Sequence, residues 1–131
     1  MPTEADARTI RRFYAALANG DLAAAAEYVS GDAVWHLPGT SPLAGTHRGW
    51  DAIAATLAQL GPRSGGTFQV DLLDVAVGEE YVIAVQRARA TRPGATLDVT
   101  GCQLCRMRDG KIAEIRGHYS DEAALDRFWS G

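Results

Sequence analysis

From Thr67 to Tyr119 the hydrophobic period of the chain is two, sustained through four consecutive runs separated by turn residues. The punctuation is Gly78-Glu79-Glu80, Arg92-Pro93-Gly94 and Asp109-Gly110. Asp-Gly in particular fits the positive backbone angles of a tight hairpin. The pattern predicts strands over Thr67–Val77, Tyr81–Thr91, Leu97–Arg108 and Lys111–Tyr119, joined as an antiparallel meander. Alternation also sorts the side chains by face. On the third strand Leu97, Val99, Gly101, Gln103, Cys105 and Met107 share one side, while Asp98, Thr100, Cys102, Leu104 and Arg106 share the other. The first set is the more apolar and is expected to face the interior.

The N-terminal half reads differently. Ile10, Phe13, Tyr14 and Leu17 recur at helical spacing, with Thr3 as a cap and Asp6 three residues on. Asn19-Gly20 ends that helix, and Asp21 caps a second over Leu22–Val29. A short strand follows over Ala33–Leu37, then a loop over Thr40–Arg48, and a third helix over Gly49–Leu60. Gly61–Gly66 is a glycine-rich connector without the Lys-Ser/Thr ending of a phosphate cradle. A terminal helix is expected over Asp121–Trp129. Helices first and a meander afterwards predict one α+β domain over residues 1–131. A curved antiparallel sheet wrapped around the N-terminal helices forms a cone whose open end is a pocket.

Charge narrows the partners. The net charge is −3 and the arginines are scattered, which argues against nucleic acid. No apolar run is long enough for a membrane helix, and the acidic N-terminus lacks a secretory layout, so a cytoplasmic location is expected. The three histidines have no metal-ligand spacing, and Cys102 and Cys105 should point to opposite faces of one strand. No metal and no cofactor is expected. The arginines of the outer sheet face, Arg87, Arg89, Arg106 and Arg116, suggest a homodimer contact.

Several segments carry a family resemblance. Phe13-Tyr14-Ala15-Ala16-Leu17-Ala18-Asn19-Gly20-Asp21 resembles the first helix and turn of nuclear transport factor 2-like (cystatin-like) domains. Val34-Trp35-His36-Leu37-Pro38-Gly39, with Leu43-Ala44-Gly45 and Arg48-Gly49 after it, resembles the strand, loop and helix start of SnoaL-like proteins. The ending Asp109-Gly110-Lys111-Ile112-Ala113-Glu114-Ile115, followed by Tyr119, Asp121 and Ala124–Trp129, is similar to theirs too. The resemblance covers nearly the whole chain and implies a cone-like α+β barrel of the ketosteroid-isomerase and SnoaL-like type.

The steroid isomerases' apparatus is not reproduced. Their oxyanion-binding tyrosine corresponds to Phe13, beside Tyr14, and their basic aspartate falls in the region of His36 and Leu37. Gln103 stands at the position of their second oxyanion donor. SnoaL-like cyclases place an acid–base aspartate near the start of the last helix, where Asp121 lies. The resemblance therefore implies cofactor-independent cyclase, isomerase or dehydratase chemistry on a hydrophobic carbonyl-bearing substrate such as a polyketide or terpenoid. In that reading His36 and Asp121 move protons, Gln103 and Tyr119 orient the substrate oxygen, and Phe13, Tyr14, Trp35, Leu37, Cys105, Met107 and Ile115 form walls. Each role has a plainer counterpart. His36 is equally a core histidine, Asp121 a helix cap, and Trp35 a residue of the outer face. The rival reading is a non-catalytic module that binds a hydrophobic ligand or serves as a dimeric scaffold. An epoxide-hydrolase-like activity is a further alternative, although it needs an aspartate–arginine–aspartate set inside the pocket.

Overall fold

Residues 1–131 are described by a computed structural model. Helix α1 (Glu4–Ala18) begins with a reciprocal capping box: Asp6 N–H donates to Thr3 Oγ1 at 3.2 Å and Thr3 N–H to the Asp6 carboxylate at 3.0 Å. Ala7, Ile10, Phe13 and Tyr14 form its buried face. Helix α2 (Leu22–Ala26) is capped by Asp21 and ends with its last alanine, short of the predicted Val29. The reason is tertiary: the Tyr28 carbonyl accepts from Ile112 N–H, so the backbone from Val29 is drawn into the sheet.

Strand β1 (Val29–Leu37) is consequently longer than the sequence predicts. A four-residue strand β2 (Gly45–Arg48) pairs with it inside the segment expected to be a loop. This edge strand is polar, so no alternation announces it. Helix α3 (Trp50–Arg63) carries Pro62 in its last turn. The meander follows as β3 (Gln69–Val77), β4 (Val82–Arg92), β5 (Ala95–Arg108) and β6 (Lys111–Tyr119), and α4 (Glu122–Ser130) ends the chain.

The sheet order is β2-β1-β6-β5-β4-β3. Four of its five pairings are antiparallel, whereas β1 runs parallel to β6. The wholly antiparallel sheet expected from the sequence is corrected at that junction. Helix α1 packs on β3 and β4, α3 on β1, and α4 on β5, so the sheet curves around one side of the helices. One cluster of 23 buried residues forms the core. No helix is long and apolar enough to cross a membrane.

The inner rows follow the predicted alternation. On β4 they are Val82, Ala84, Gln86, Ala88 and Ala90, and on β5 Leu97, Val99, Gly101, Gln103 and Cys105. Glycine is required at Gly101, because a Cβ there would sit 2.7 Å from the His118 carbonyl oxygen and 2.8 Å from Tyr119 Cδ1. Backbone cannot retreat as a flexible side chain can. Gly101→Ala is expected to destabilise the fold by about 2–3 kcal/mol, read as a lower urea midpoint with an unchanged slope. An unaltered midpoint would mean that β5 and β6 have slack between them.

Candidate functional site

The curved sheet and α1, α3 and α4 enclose a cavity of about 530 Å³ lined by 27 residues, 21 of them hydrophobic. Trp35 and Leu37 reach it from β1, Phe13 and Tyr14 from α1, Ile115 and Tyr119 from β6, and Cys105 from β5. Exposed Gly20, Ala58, Gln69 and Asp71 lie on the rim. Asp71 is the only charged residue of the lining, and its carboxylate accepts from Arg89 at 2.6 Å.

The far end of the cavity from a solvated rim is built from α1, β4, β5 and β6. Tyr14 donates its hydroxyl to Gln86 Oε1 at 2.5 Å, and Gln103 Nε2 donates to the Tyr119 hydroxyl oxygen at 3.1 Å. Gln86 stands opposite Gly101 and Gln103 opposite Ala84, so the two amides are diagonal neighbours on one face. Gln103 is 4% exposed, and its Oε1 has no hydrogen-bond partner. An orphaned acceptor at such a depth costs about 1–3 kcal/mol.

Every ionisable group at this end is held neutral. Burial pushes Tyr14 well above the usual phenol range, with the neighbouring Cys105 and Tyr119 adding to the effect. Burial also raises Tyr119, against a smaller opposing pull from the Gln103 N–H. The Cys105 thiol is pushed up to about 12 by burial. The floor of the cavity is therefore polar and uncharged at neutral pH.

The other expected site residues lie elsewhere. His36 does not face the cavity: Trp35 and Leu37 point inward on β1, and alternation turns His36 to the outer surface with Val34. Its Nε2 lies 3.2 Å from Glu114 Oε2 and its Nδ1 3.2 Å from Thr46 Oγ1, so it stitches β2, β1 and β6 together. Asp121 is exposed and caps α4, accepting from Ala124 N–H at 2.9 Å. A proton-transfer pair of His36 and Asp121 inside the cavity is thus overturned. Met107 is also absent from the lining; it lies half-buried against the core, one step beyond Cys105 toward the β5–β6 turn. His47, within the segment predicted as a loop, is half-buried and lies 2.8 Å from the Leu43 carbonyl. His118 does face outward, and Cys102 and Cys105 lie on opposite sides of β5.

Gln86 was not singled out by the sequence reading. Its signal was present as the one polar residue in an inner row otherwise made of valine and alanine. The hydroxyl that α1 contributes belongs to Tyr14, one residue on from the position matched to the isomerase tyrosine.

A curved sheet closed over helices, with a pocket at its open end, defines the nuclear transport factor 2-like class. The SnoaL-like domain matches residues 10–115, and the chain belongs to the SnoaL-like family. A protein of Mycobacterium tuberculosis strain H37Rv, described only as uncharacterized, is 37% identical over 131 residues, spanning 99% of this chain and all of that one. The structure of Bal32a, from a soil-derived mobile gene cassette, is 39% identical with a TM-score of 0.92, covering 96% of this chain and 97% of that chain. A nuclear transport factor 2-like protein of Burkholderia xenovorans is 26% identical with a TM-score of 0.78, covering 100% and 99% of the two chains.

Two outcomes follow. The buried phenols and thiol are acids whose neutral form the fold protects, so the unfolded chain releases their protons first. Their contribution to stability is whole below about pH 9 and is lost as pH climbs from there toward 12. Urea midpoints should agree at about pH 6.5 and 8 and fall by about pH 10.5, with Cys105→Val removing part of the fall. Separately, Asp121→Ala and His36→Ala should each cost about 1 kcal/mol of stability while leaving ligand affinity within about twofold. A large loss of binding in either variant would return that residue to the site.

Proposed function

We propose that this protein binds a neutral, largely apolar organic molecule bearing oxygen, of polyketide or terpenoid size, and that binding is its primary activity. The carrying observation is the uncharged floor of Tyr14, Gln86, Gln103 and Tyr119 set in an apolar wall. A ligand charge buried against that floor would meet no opposite charge and would lose its hydration. Phenols and amides instead match the oxygens of a neutral molecule.

A second reading is cofactor-independent isomerase or cyclase chemistry. It is favoured by the Tyr119 hydroxyl, which accepts from Gln103 and keeps its own proton for an oxygen in the cavity. There the phenol would steady an enolate, although the one carboxylate of the lining, Asp71, stands at the rim paired with Arg89 and supplies no base at the floor. Tyr119→Phe would then lower turnover of an enolisable ketone at least about tenfold. An epoxide-hydrolase set is not assembled, since a single aspartate lines the cavity. The homodimer expected through the outer face belongs to the same proposal. Arg87 and Arg89 already pair across strands with Asp98 and Asp71, so that contact would rest on the half-buried outer-face residues Ile83, Val85 and Leu104.

Calorimetric titration tests the binding reading with 2-methoxynaphthalene and 2-naphthoate at about pH 7. The neutral ether should bind with a Kd of order 0.1 mM, within the range of about 0.3–1.5 kcal/mol per non-hydrogen atom open to small ligands. The anion should bind at least about tenfold more weakly. Equal affinities, or a preference for the carboxylate, would refute it.

A further inference from the structure

We infer that the ring of Tyr119 is a stacking platform, so that the cavity favours flat, conjugated ring systems over saturated ones of the same skeleton and polarity. The inference rests on the binding reading above and deepens it by naming the shape of the ligand. Tyr119 is the last residue of β6, and its ring reaches back over the inner face of β5 and β6, where Gly101 and Gly117 raise no side chain. A Cβ on Gly101 would lie 2.8 Å from Tyr119 Cδ1 and 3.1 Å from its Cε1, and one on Gly117 would lie 3.2 Å from Cε2. Contacts to both long edges of the ring place it flat on the two strands. One face therefore rests on backbone. The other looks away from the sheet, into the cavity that Tyr119 lines.

No ring of the protein packs on that second face. The other aromatic residues of the lining all have ring neighbours: Phe13 lies against Tyr14, Trp35 against His47 and Phe68 against Trp129, with centroids 5.9, 5.4 and 5.9 Å apart. Tyr119 has none, and it is half-buried where Phe13, Tyr14, Trp35 and Trp129 are buried. Nor is the ring free to swing into the space above it. Gln103 Nε2 donates to its oxygen at 3.1 Å, which fixes the far end, and the glycine hollow fixes the middle. A face held in place before the ligand arrives loses little freedom on binding. An aromatic ligand laid over it gains offset stacking beyond the burial of its area. A saturated ring has puckered CH2 groups and no π quadrupole, so it gains apolar contact alone.

Calorimetric titration of the whole protein at about pH 7 compares 2-methoxynaphthalene with its saturated counterpart, 2-methoxydecalin. Both carry an ether oxygen on the same fused skeleton. The saturated molecule has the larger apolar surface, so area burial alone favours it. Stacking reverses that order, and the naphthyl ether should bind about fivefold tighter. Tyr119→Phe keeps a ring in the same hollow and should retain the preference, even as both ethers lose the hydroxyl's hydrogen bond alike. Tyr119→Leu should bring the two Kd values within about twofold of each other. Should Tyr119→Leu fail to fold, the comparison in the unaltered protein and in Tyr119→Phe still decides. Equal affinities, tighter binding of the decalin, a preference that survives in Tyr119→Leu or one that vanishes in Tyr119→Phe overturns the platform alone. If neither ether binds, the binding reading fails and this inference falls with it.

Discussion

The cavity depends on the close approach of β5 and β6 at Gly101 and Gly117. With a side chain at Gly101, the His118 carbonyl would be pushed away and the β5–β6 ladder would open where Gly101 pairs with Tyr119. With the glycine, the aromatic ring of Tyr119 lies close over the strands rather than standing upright in the space beneath α1. The same side chain that would ordinarily fill a core is thereby laid against its wall. An apolar interior of this size normally closes to crystal-like density. Here large residues line a space that none of them occupies.

The opposite end of the structure is fixed by a second close contact. Asp126 on α4 accepts from the backbone N–H groups of Thr40 and Ser41 at 2.9 and 3.1 Å. Gly39 has a φ of +104°, and a Cβ there would fall 2.2 Å from Asp126 Oδ1. The loop after β1 is therefore tied to the terminal helix, which brings Leu43, Leu125 and Trp129 together on the lining. Two glycine-dependent contacts, one in the sheet and one at the loop, hold the boundary that hydrophobic burial alone would collapse.

The meander was legible in the sequence because its two faces differ in chemistry. Inner residues such as Leu97, Val99 and Cys105 alternate with Asp98, Thr100 and Arg106, and burial enforces that register. Strand β2 was illegible because Gly45-Thr46-His47-Arg48 is an edge with no apolar side to declare it. The early end of α2 was also hidden, since Tyr28 and Val29, which continue the helical pattern, are drawn into the sheet by the backbone bond between Tyr28 and Ile112. At the site, Gln103, Cys105, Ile115 and Tyr119 followed from strand parity. His36 was misplaced for the complementary reason. It was assigned to the site together with Trp35 and Leu37, which parity puts on the opposite face, and the structure turns those two inward. Gln86 shows that an interrupted apolar row carries more information about a site than a histidine near a turn.

The distribution of charge separates recognition from chemistry in this fold. Ionised groups are placed on the outer sheet surface or at the rim, where Arg87 pairs with Asp98, Arg106 with Glu80 and Arg89 with Asp71. Inside, burial keeps Tyr14, Tyr119 and Cys105 protonated, so the interior offers hydrogen bonds whose direction is fixed and whose charge does not vary near neutral pH. Such a surface discriminates by matching donors to acceptors. A proton taken from a ligand at the floor would need a carrier, and the only carboxylate of the lining stands at the rim in an ion pair. Binding therefore requires nothing beyond the residues already assembled at the floor, whereas catalysis would also require Asp71 to part from Arg89.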